Sequence, residues 1–168
     1  KLKTFRRHIV ELGKTGFTFI YDELEAEEPV TWSYLLHTVT NPMNVNMVNE
    51  FVHVQATSKN GISDAYLLGS DELKTDTTSQ FFTPATNWLR ADDKGNFKKY
   101  PNHWHFTATS GKHKVYRFVT IINTHINKTT PDKPFAVPQR LKDGSIKMGS
   151  WIIKANVSSE GKPSFNRK

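Results

Sequence analysis

The 168-residue sequence contains no cysteine, which excludes a disulfide scaffold, thiol catalysis and thiolate metal sites. It has no run of about 18 apolar residues, so no segment is predicted to span a membrane. The motifs G-x-S-x-G, G-x-x-x-x-G-K and H-E-x-x-H are also missing. Their absence removes several standard hydrolase, phosphate-binding and metalloprotease chemistries.

Acidic residues are missing from one long window of the chain. There is no Asp or Glu between Lys94 and Pro131, in a protein whose formal net charge is +7. A window of one sign attracts polyanions through its summed potential, although a solvated lysine surface without a ligand has the same composition. The basic residues and histidines of the window are Lys94, Lys98, Lys99, Lys112, Lys114, Arg117, Lys128, His103, His105, His113 and His125.

Apolar and polar residues alternate at period two over most of the chain, which indicates β-strands. No stretch keeps a helical period over three turns, and turn signals recur at about 8–12 residues, so the sequence predicts an all-β antiparallel sandwich. Asn60-Gly61 and Asp143-Gly144 predict tight hairpins, because these residues tolerate positive φ. The predicted strands are 4–12, 16–24, 31–38, 48–57, 62–69, 103–109, 114–124, 135–141 and 145–157.

The chain is predicted to form one domain. Residues 1–157 are assigned to the sandwich, with a long polar loop excursion over 69–101, and residues 158–168 to a basic tail that we expect to fray. Eleven Phe, five Tyr and four Trp supply the core. The chain opens on Lys1 within a strand-like run, so we expect a fragment of a longer protein whose targeting signal lies upstream.

The stretch 17–38, FTFIYDELEAEEPVTWSYLLHT, reads as strand, acidic turn, strand. Aromatic and β-branched residues alternate at both of its ends. Between them lies DELEAEEP, with five carboxylates in eight residues. Charged side chains and Pro29 are features that interrupt strand pairing. The sequence therefore predicts a solvated turn here.

Aromatic and cationic residues are interleaved in the second half of the excursion. Sugar rings stack on flat aromatics, while Arg and Lys bind uronate or sulfate groups. Nucleic acid uses the same residue types, and Trp88 and Trp104 would equally anchor the loop to the sandwich. The predicted substrate-binding residues are Trp88, Arg90, Lys98, Lys99, Tyr100 and Lys114.

His103 and His105 are the sharpest metal-like pattern. On a strand they share one face, and two imidazoles at that spacing reach one ion. No acid lies in the window to act as a third ligand, so we interpret them as solvent-facing residues beside a buried aromatic face and predict no metal. No pair of carboxylates is fixed across a sugar-sized gap, so glycosidase chemistry is not indicated.

Three runs follow one another near the start of the chain: the basic aromatic opening Phe5 to Val10, the acidic run Tyr21 to Pro29 and WSYLLH at Trp32 to His37. In this order and spacing they resemble the C-terminal β region of bacterial heparinase II/III-like polysaccharide lyases. The resemblance covers about residues 4–40, and Arg117 to Ile122 and Lys142 to Ile153 fit the family's final strands in pattern only.

The resemblance implies a parent enzyme with an α/α toroid followed by β-sandwich domains, which cleaves uronate-containing polysaccharide by β-elimination. In that family the catalytic Tyr, His and Asn come largely from the toroid, and a metal-binding cluster lies earlier in the β region. The chain is then a scaffold or cleft wall with no catalytic residue or cofactor of its own. Its partners would be acidic polysaccharide and the upstream toroid of the same chain, rather than nucleic acid, in the periplasm or outside the cell. A free-standing carbohydrate-binding module and a purely structural β domain are the alternatives.

Overall fold

The computed structural model describes residues 1–12, 16–39, 41–80, 90–98, 102–126, 136–155, 157 and 163–167. These residues form strands and no helix, so the all-β prediction is confirmed. Within the same residues, nothing helical has the length and hydrophobicity to cross a lipid bilayer. The strands are β1 (Leu2–Glu11), β2 (Phe17–Thr38), β3 (Asn44–Val48), β4 (Phe51–Thr57), β5 (Gly61–Gly69), β6 (Lys74–Thr78), β7 (Arg90–Ala91), β8 (Phe97–Lys98), β9 (Trp104–Ile126), β10 (Gln139–Arg140), β11 (Ile146–Met148), β12 (Trp151–Lys154) and β13 (Ser164–Arg167).

Two antiparallel sheets make up the sandwich. A seven-stranded sheet has the order β1-β2-β9-β5-β4-β3, and β6 pairs with the first part of β9. A four-stranded sheet follows the order β10-β11-β12-β13, and β7 and β8 form a separate ribbon. Strands β2 and β9 are the longest, with 22 and 23 residues, and they pair with each other from end to end. These two strands therefore fix the geometry of the larger sheet.

The predicted acidic turn in β2 and the predicted break between strands 103–109 and 114–124, at Ser110-Gly111-Lys112 in β9, are both wrong. Each strand continues through the segment, and the two irregular segments lie opposite each other. Strand β2 advances from Glu25 to Val30 while β9 advances only from Val115 to His113. The prediction failed because each strand finds a long partner elsewhere in the chain, which carries the pairing across the irregularity as a bulge.

Side-chain contacts fasten this bulged region. The backbone N–H of Trp32 donates to Ser110 Oγ at 2.9 Å, and its indole Nε1 donates to the His113 carbonyl at 3.0 Å. The Ser110 hydroxyl in turn donates to the Gly111 carbonyl at 2.6 Å. These bonds satisfy groups that regular strand pairing leaves open at a bulge.

The core has two parts, on opposite faces of the seven-stranded sheet. Phe19 and Ile121 face the four-stranded sheet, where they pack with Ile146 and Ile153. The second part lies on the other face and joins the far halves of β2 and β9 to the centre of the sheet. Its largest members are Leu24, Tyr34, Leu67, Phe106, Tyr116 and Phe118. Alternation along the strands puts neighbouring residues into different parts of the core.

Both predicted hairpins are confirmed. The Ser58 N–H donates to the Gly61 carbonyl between β4 and β5 at 2.8 Å. Between β10 and β11, Gly144 has φ 79° and its N–H donates to the Leu141 carbonyl at 2.9 Å. This is a type I turn followed by a left-handed glycine, a common three-residue hairpin.

Several segments differ from the prediction. Strands β6, β7 and β8 lie within the excursion predicted to be a loop, and β13 pairs with β12 in the tail expected to fray. The predicted strand 48–57 contains a two-residue turn at Asn49, which has φ 55°, and the predicted strand 145–157 turns at Gly149. Polar strands such as β6 lack the alternation that sequence analysis depends on, because their stability comes from a paired neighbour.

Candidate functional site

The residues predicted to contact a sugar lie in separate parts of the chain. Arg90 and Lys98 occupy directly opposed positions on β7 and β8. Lys114 is exposed on β9, with its Nζ 3.8 Å from a carboxylate oxygen of the exposed Glu28, a pair that solvent weakens. The structure thus brings Arg90 and Lys98 together. The sugar-binding surface as a whole stays a prediction. The others, Trp88, Lys99 and Tyr100, lie outside the described residues.

The turn between β7 and β8 explains why Arg90 and Lys98 oppose each other. Asp92 Oδ1 accepts hydrogen bonds from the backbone N–H groups of Lys94 and Asn96, both at 2.9 Å. Gly95 has φ 79°, a conformation that favours glycine. Hydrogen bonds from Asn96 and Lys94 hold the pKa of the Asp92 carboxyl below its usual range. Asp92 therefore has a turn-forming role.

The acidic run of β2 forms a ladder of ion pairs, chiefly with the neighbouring strand β1. Each of its five carboxylates lies within 4 Å of a basic group, with four of the basic groups on or beside β1 and the fifth on β9. Such cross-strand pairs stabilise a sheet modestly where they are exposed. The contacts are Arg7–Asp22 at 2.6 Å, Arg6–Glu23 at 3.3 Å, Lys3–Glu25 at 3.5 Å, the Lys1 amino group–Glu27 at 3.9 Å and Lys114–Glu28 at 3.8 Å.

Arg7 and Asp22 form the strongest pair of the ladder. The guanidinium Nε and Nη2 donate to the two carboxylate oxygens at 2.6 and 2.8 Å, a bidentate contact. The Asp22 side chain is only 2% exposed. The guanidinium also lies 5.7 Å from the ring centroids of Phe5 and Tyr34, and the bond to Asp22 raises the pKa of Arg7. The buried carboxylate therefore depends on one cation.

Glu23 sits on the other face of the sheet among several positive groups. Its Oε2 accepts from His8 Nε2 at 2.8 Å and from Arg6 at 3.3 Å. Burial alone would raise the pKa of Glu23, but the hydrogen bond with His8 and the charges of Arg6 and Arg117 outweigh it and lower that pKa. Because three groups share the carboxylate, no single one of them is essential to it.

A cleft of about 440 Å³ opens between the two sheets. Met47, Val52 and Leu73 are among its apolar lining residues, and Glu50, Asp71 and Arg140 are among its charged ones. Arg140 lies 3.3 Å from Glu50. The volume of the cleft is within the usual range of small-molecule sites.

Asp71, at the edge of this cleft, is the centre of a three-residue network. Its Oδ1 accepts from the Tyr116 hydroxyl at 2.5 Å, and its Oδ2 lies 2.7 Å from His113 Nε2. Burial would raise the pKa of Asp71, but the bonds from Tyr116, His113 and the Gly111 N–H lower it instead. The network ties the segment after β5 to the bulged region of β9.

The last residue of β5, Gly69, makes room for the network. A methyl group there would collide with the Tyr116 hydroxyl, and it would lie 3.0 Å from Leu73 Cδ2 and 3.1 Å from the Asp71 carbonyl. A side chain at this position would displace Tyr116. Glycine is therefore required here because space is limited, and not because of its backbone conformation.

The chemistry open to this network is limited. Tyr116 is completely buried, and burial together with its hydrogen bond to the Asp71 carboxylate raises its pKa well above the ordinary value. A phenol of raised pKa that already donates its proton to a carboxylate is a poor general base near neutral pH. We therefore interpret the network as structural.

Replacing Tyr116 by Phe is expected to lower the free energy of unfolding by about 1–2 kcal/mol near neutral pH, because a hydrogen bond to a charged group is lost. The lowered pKa of Asp71 means that its stabilising contribution is present above about pH 4 and is lost as the pH falls through the folded pKa. Urea denaturation at several pH values measures both effects. An equal loss at neutral pH and at pH values low enough to protonate Asp71 in the folded chain would show that the hydroxyl does not act through ionised Asp71.

The structure places the two histidines that the sequence suggests as metal ligands in different settings. His103 precedes β9 and is exposed, while His105 lies within β9, directly opposite His37 on β2. The His37 and His105 ring centroids are 4.6 Å apart. In the part of the chain that the structure describes, no three histidine or acidic side chains are grouped as a metal site. The sequence does not reveal His37 as a neighbour, because the pairing of β2 with β9 is long-range.

A second polar cluster was also missed. Asp64, which is 6% exposed, accepts from Gln55 Nε2 at 2.9 Å, and its Oδ1 lies 2.8 Å from His53 Nε2. The other ring nitrogen of His53 lies 2.8 Å from Asn46 Oδ1, and its ring stacks on Tyr66. These contacts link β3, β4 and β5, and the period-two pattern of β4 is the only sequence signal that places His53 and Gln55 on one face.

Comparison with known proteins adds no family to this description: no family model matches the chain, and no curated protein is significantly similar to it.

Proposed function

We propose that this chain is the β-sandwich portion of a heparinase II/III-like lyase that cleaves uronate-containing polysaccharide by β-elimination. In this proposal the chain supports the catalytic toroid or forms a wall of the substrate cleft, and it supplies no catalytic residue. The observation that carries the proposal is the ion-pair ladder between β1 and β2, because it lies in the segment that resembles these lyases. The carboxylates there are bound to cations of the same sheet, so the segment serves the architecture of the sandwich.

The chemistry of β-elimination also favours a scaffold role. The reaction needs a base for the proton next to the uronate carboxylate and a group that neutralises that carboxylate. The Tyr116 hydroxyl is buried and donates to Asp71. His113, the nearest imidazole of that network, faces the same Asp71 carboxylate, which would repel a uronate. This arrangement suits structural support better than proton abstraction.

A free-standing module that binds acidic carbohydrate is the second candidate. The observation in its favour is the outer face of the four-stranded sheet. Lys147 and Lys154 are exposed there on β11 and β12, and Gln139 and Asn166 lie in the same row as Lys147. Strands β10 to β13 contain no acidic residue. Cations and amides on an open sheet face are suited to sulfate and uronate groups.

The isolated chain is expected to bind heparin or alginate weakly and to leave it uncleaved. Binding should weaken steeply with salt, because exposed charges are screened beyond about 10 Å at 0.1 M. Calorimetry at low and moderate salt measures the binding. The ultraviolet absorbance of the unsaturated uronate product measures cleavage. Sustained product formation by the purified chain would contradict the scaffold role.

Two charge-reversed variants separate the surfaces. Lys98→Glu with Lys99→Glu changes the window that the sequence predicts, whereas Lys147→Glu with Lys154→Glu changes the outer face of the four-stranded sheet. We expect the first variant to bind less glycan and the second to bind like the unaltered chain. Loss of glycan binding in the second variant alone would favour the free-standing module. Binding that is indifferent to salt and to both variants would reject recognition of acidic glycans.

A further inference from the structure

We infer that His37 and His105 form a binding site for a divalent transition-metal ion such as Zn²⁺. The two residues are directly opposed on the neighbouring strands β2 and β9. Their ring centroids are 4.6 Å apart and their planes are inclined by 84°. Imidazole nitrogen is a common zinc ligand, and two imidazoles from one rigid sheet bind one ion more tightly than either alone.

The separation of the rings fits a shared ion. Two nitrogens bound to one tetrahedral zinc are about 3.3 Å apart, given Zn–N distances of about 2.0–2.1 Å. Rings whose centroids lie 4.6 Å apart reach that nitrogen separation by rotating their side-chain torsions. The ion would therefore be bound without moving either strand.

The opposite face of the same strands fixes the two histidines in register. Leu36 precedes His37 on β2 and Phe106 follows His105 on β9. The two apolar residues oppose each other and point into the core, where Phe106 is 0% exposed. A slip of one residue would put the histidines into the core and Phe106 into water. The imidazoles are thus held opposite each other by the burial of their neighbours.

His37 offers an ion easier access than three other described histidines, which lie against carboxylates, whereas the Nε2 atom of His105 is buried beside it. His8, His53 and His113 each have a ring nitrogen 2.7–2.8 Å from a carboxylate oxygen. His37, in contrast, is exposed on the outer face of the sheet.

The rest of the coordination sphere would be open. Thr78 on β6 lies opposite His105, and Asp76 lies one row further along the same face. Asp76 is exposed and carries the carboxylate nearest to the pair in this register. Water would fill the coordination positions that the two imidazoles leave open. The Asp76 carboxylate would accept a hydrogen bond from that water or offset the positive charge of the ion.

The test is a titration of the full chain with Zn²⁺ alone, followed by calorimetry, and with Cu²⁺, followed by line broadening of the histidine ring signals in NMR spectra. We expect one ion to bind per chain and the His37 and His105 signals to broaden first. His37→Gln and His105→Gln should each weaken zinc binding by about tenfold or more. Because His37 is exposed, its variant is expected to keep the fold, and thermal unfolding checks this.

His103→Gln is the matched control, since His103 is an exposed imidazole two residues from His105 in the sequence. We expect it to leave zinc affinity nearly unchanged. Loss of binding in His103→Gln and His105→Gln but not in His37→Gln would replace the cross-strand site by the His103–His105 pair. Equal affinity in the unaltered chain, His37→Gln and His105→Gln would overturn the inference.

Discussion

Replacing Arg7 by Ala is expected to lower the free energy of unfolding by about 3 kcal/mol. The change leaves the Asp22 carboxylate, whose side chain is 2% exposed, without its bidentate partner. An uncompensated buried charge costs about 3–5 kcal/mol, and the partial exposure of Arg7 places the effect at the lower end. Loss of the guanidinium's contacts with Phe5 and Tyr34 adds to it. Urea denaturation at neutral pH measures the change.

Arg6→Ala is the matched control, one residue away on the same strand. Arg6 is 59% exposed, and its Nη1 lies 3.3 Å from Glu23 Oε2. Glu23 keeps its hydrogen bond with His8, so we expect a loss below about 1 kcal/mol. Arg7→Lys should be intermediate, because the charge remains but the planar fork is lost. Similar losses for Arg6→Ala and Arg7→Ala would mean that Asp22 does not depend on Arg7.

The ladder also shows what sequence analysis cannot supply. Local composition predicts a solvated turn for the acidic run. In the structure it is half of a long strand, since the basic residues of β1 lie opposite and offset its charge. The strand pattern of β1 and the acid run were both visible in the sequence. Whether the basic residues of β1 neutralise the acidic run depends on the pairing register of the two strands, which composition does not determine.

Local signals did predict what depends on local physics. The Asp143-Gly144 hairpin follows from a backbone preference at one position, since Gly144 has φ 79°. The Asn60-Gly61 hairpin is also present, although neither of its two residues is among those with positive φ. The candidate sites depend instead on contacts between distant strands. His105 was noticed in the sequence, but its neighbour His37 comes from β2, and Asp71 reaches Tyr116 only because the segment after β5 lies beside the bulge of β9. Period-two alternation identifies strands without saying which strands meet.

Replacing Phe106 by Ala is expected to have the other large effect, a loss of about 3–5 kcal/mol in the free energy of unfolding. Phe106 is completely buried in the second part of the core. It lies opposite Leu36, in the far halves of β2 and β9, beyond the bulges where the sequence predicts turns. If these strands run through the bulges and pack with Tyr34 and Phe118, truncation at Phe106 creates a cavity that the rigid sheet cannot close.

Leu35→Ala provides the comparison, because Leu35 is in the same half of β2 but points to the other face and is 53% exposed. We expect it to change the stability by no more than about 0.5 kcal/mol. Denaturant titrations of both variants should keep the slope of the unaltered chain, since the surface exposed on unfolding is the same. A loss for Phe106→Ala as small as that for Leu35→Ala would mean that the far halves of β2 and β9 are not packed into a common core with the rest of the sheet. A large loss with an unchanged slope would show that one cooperative core extends through both bulges, which is the geometry that places His37 beside His105.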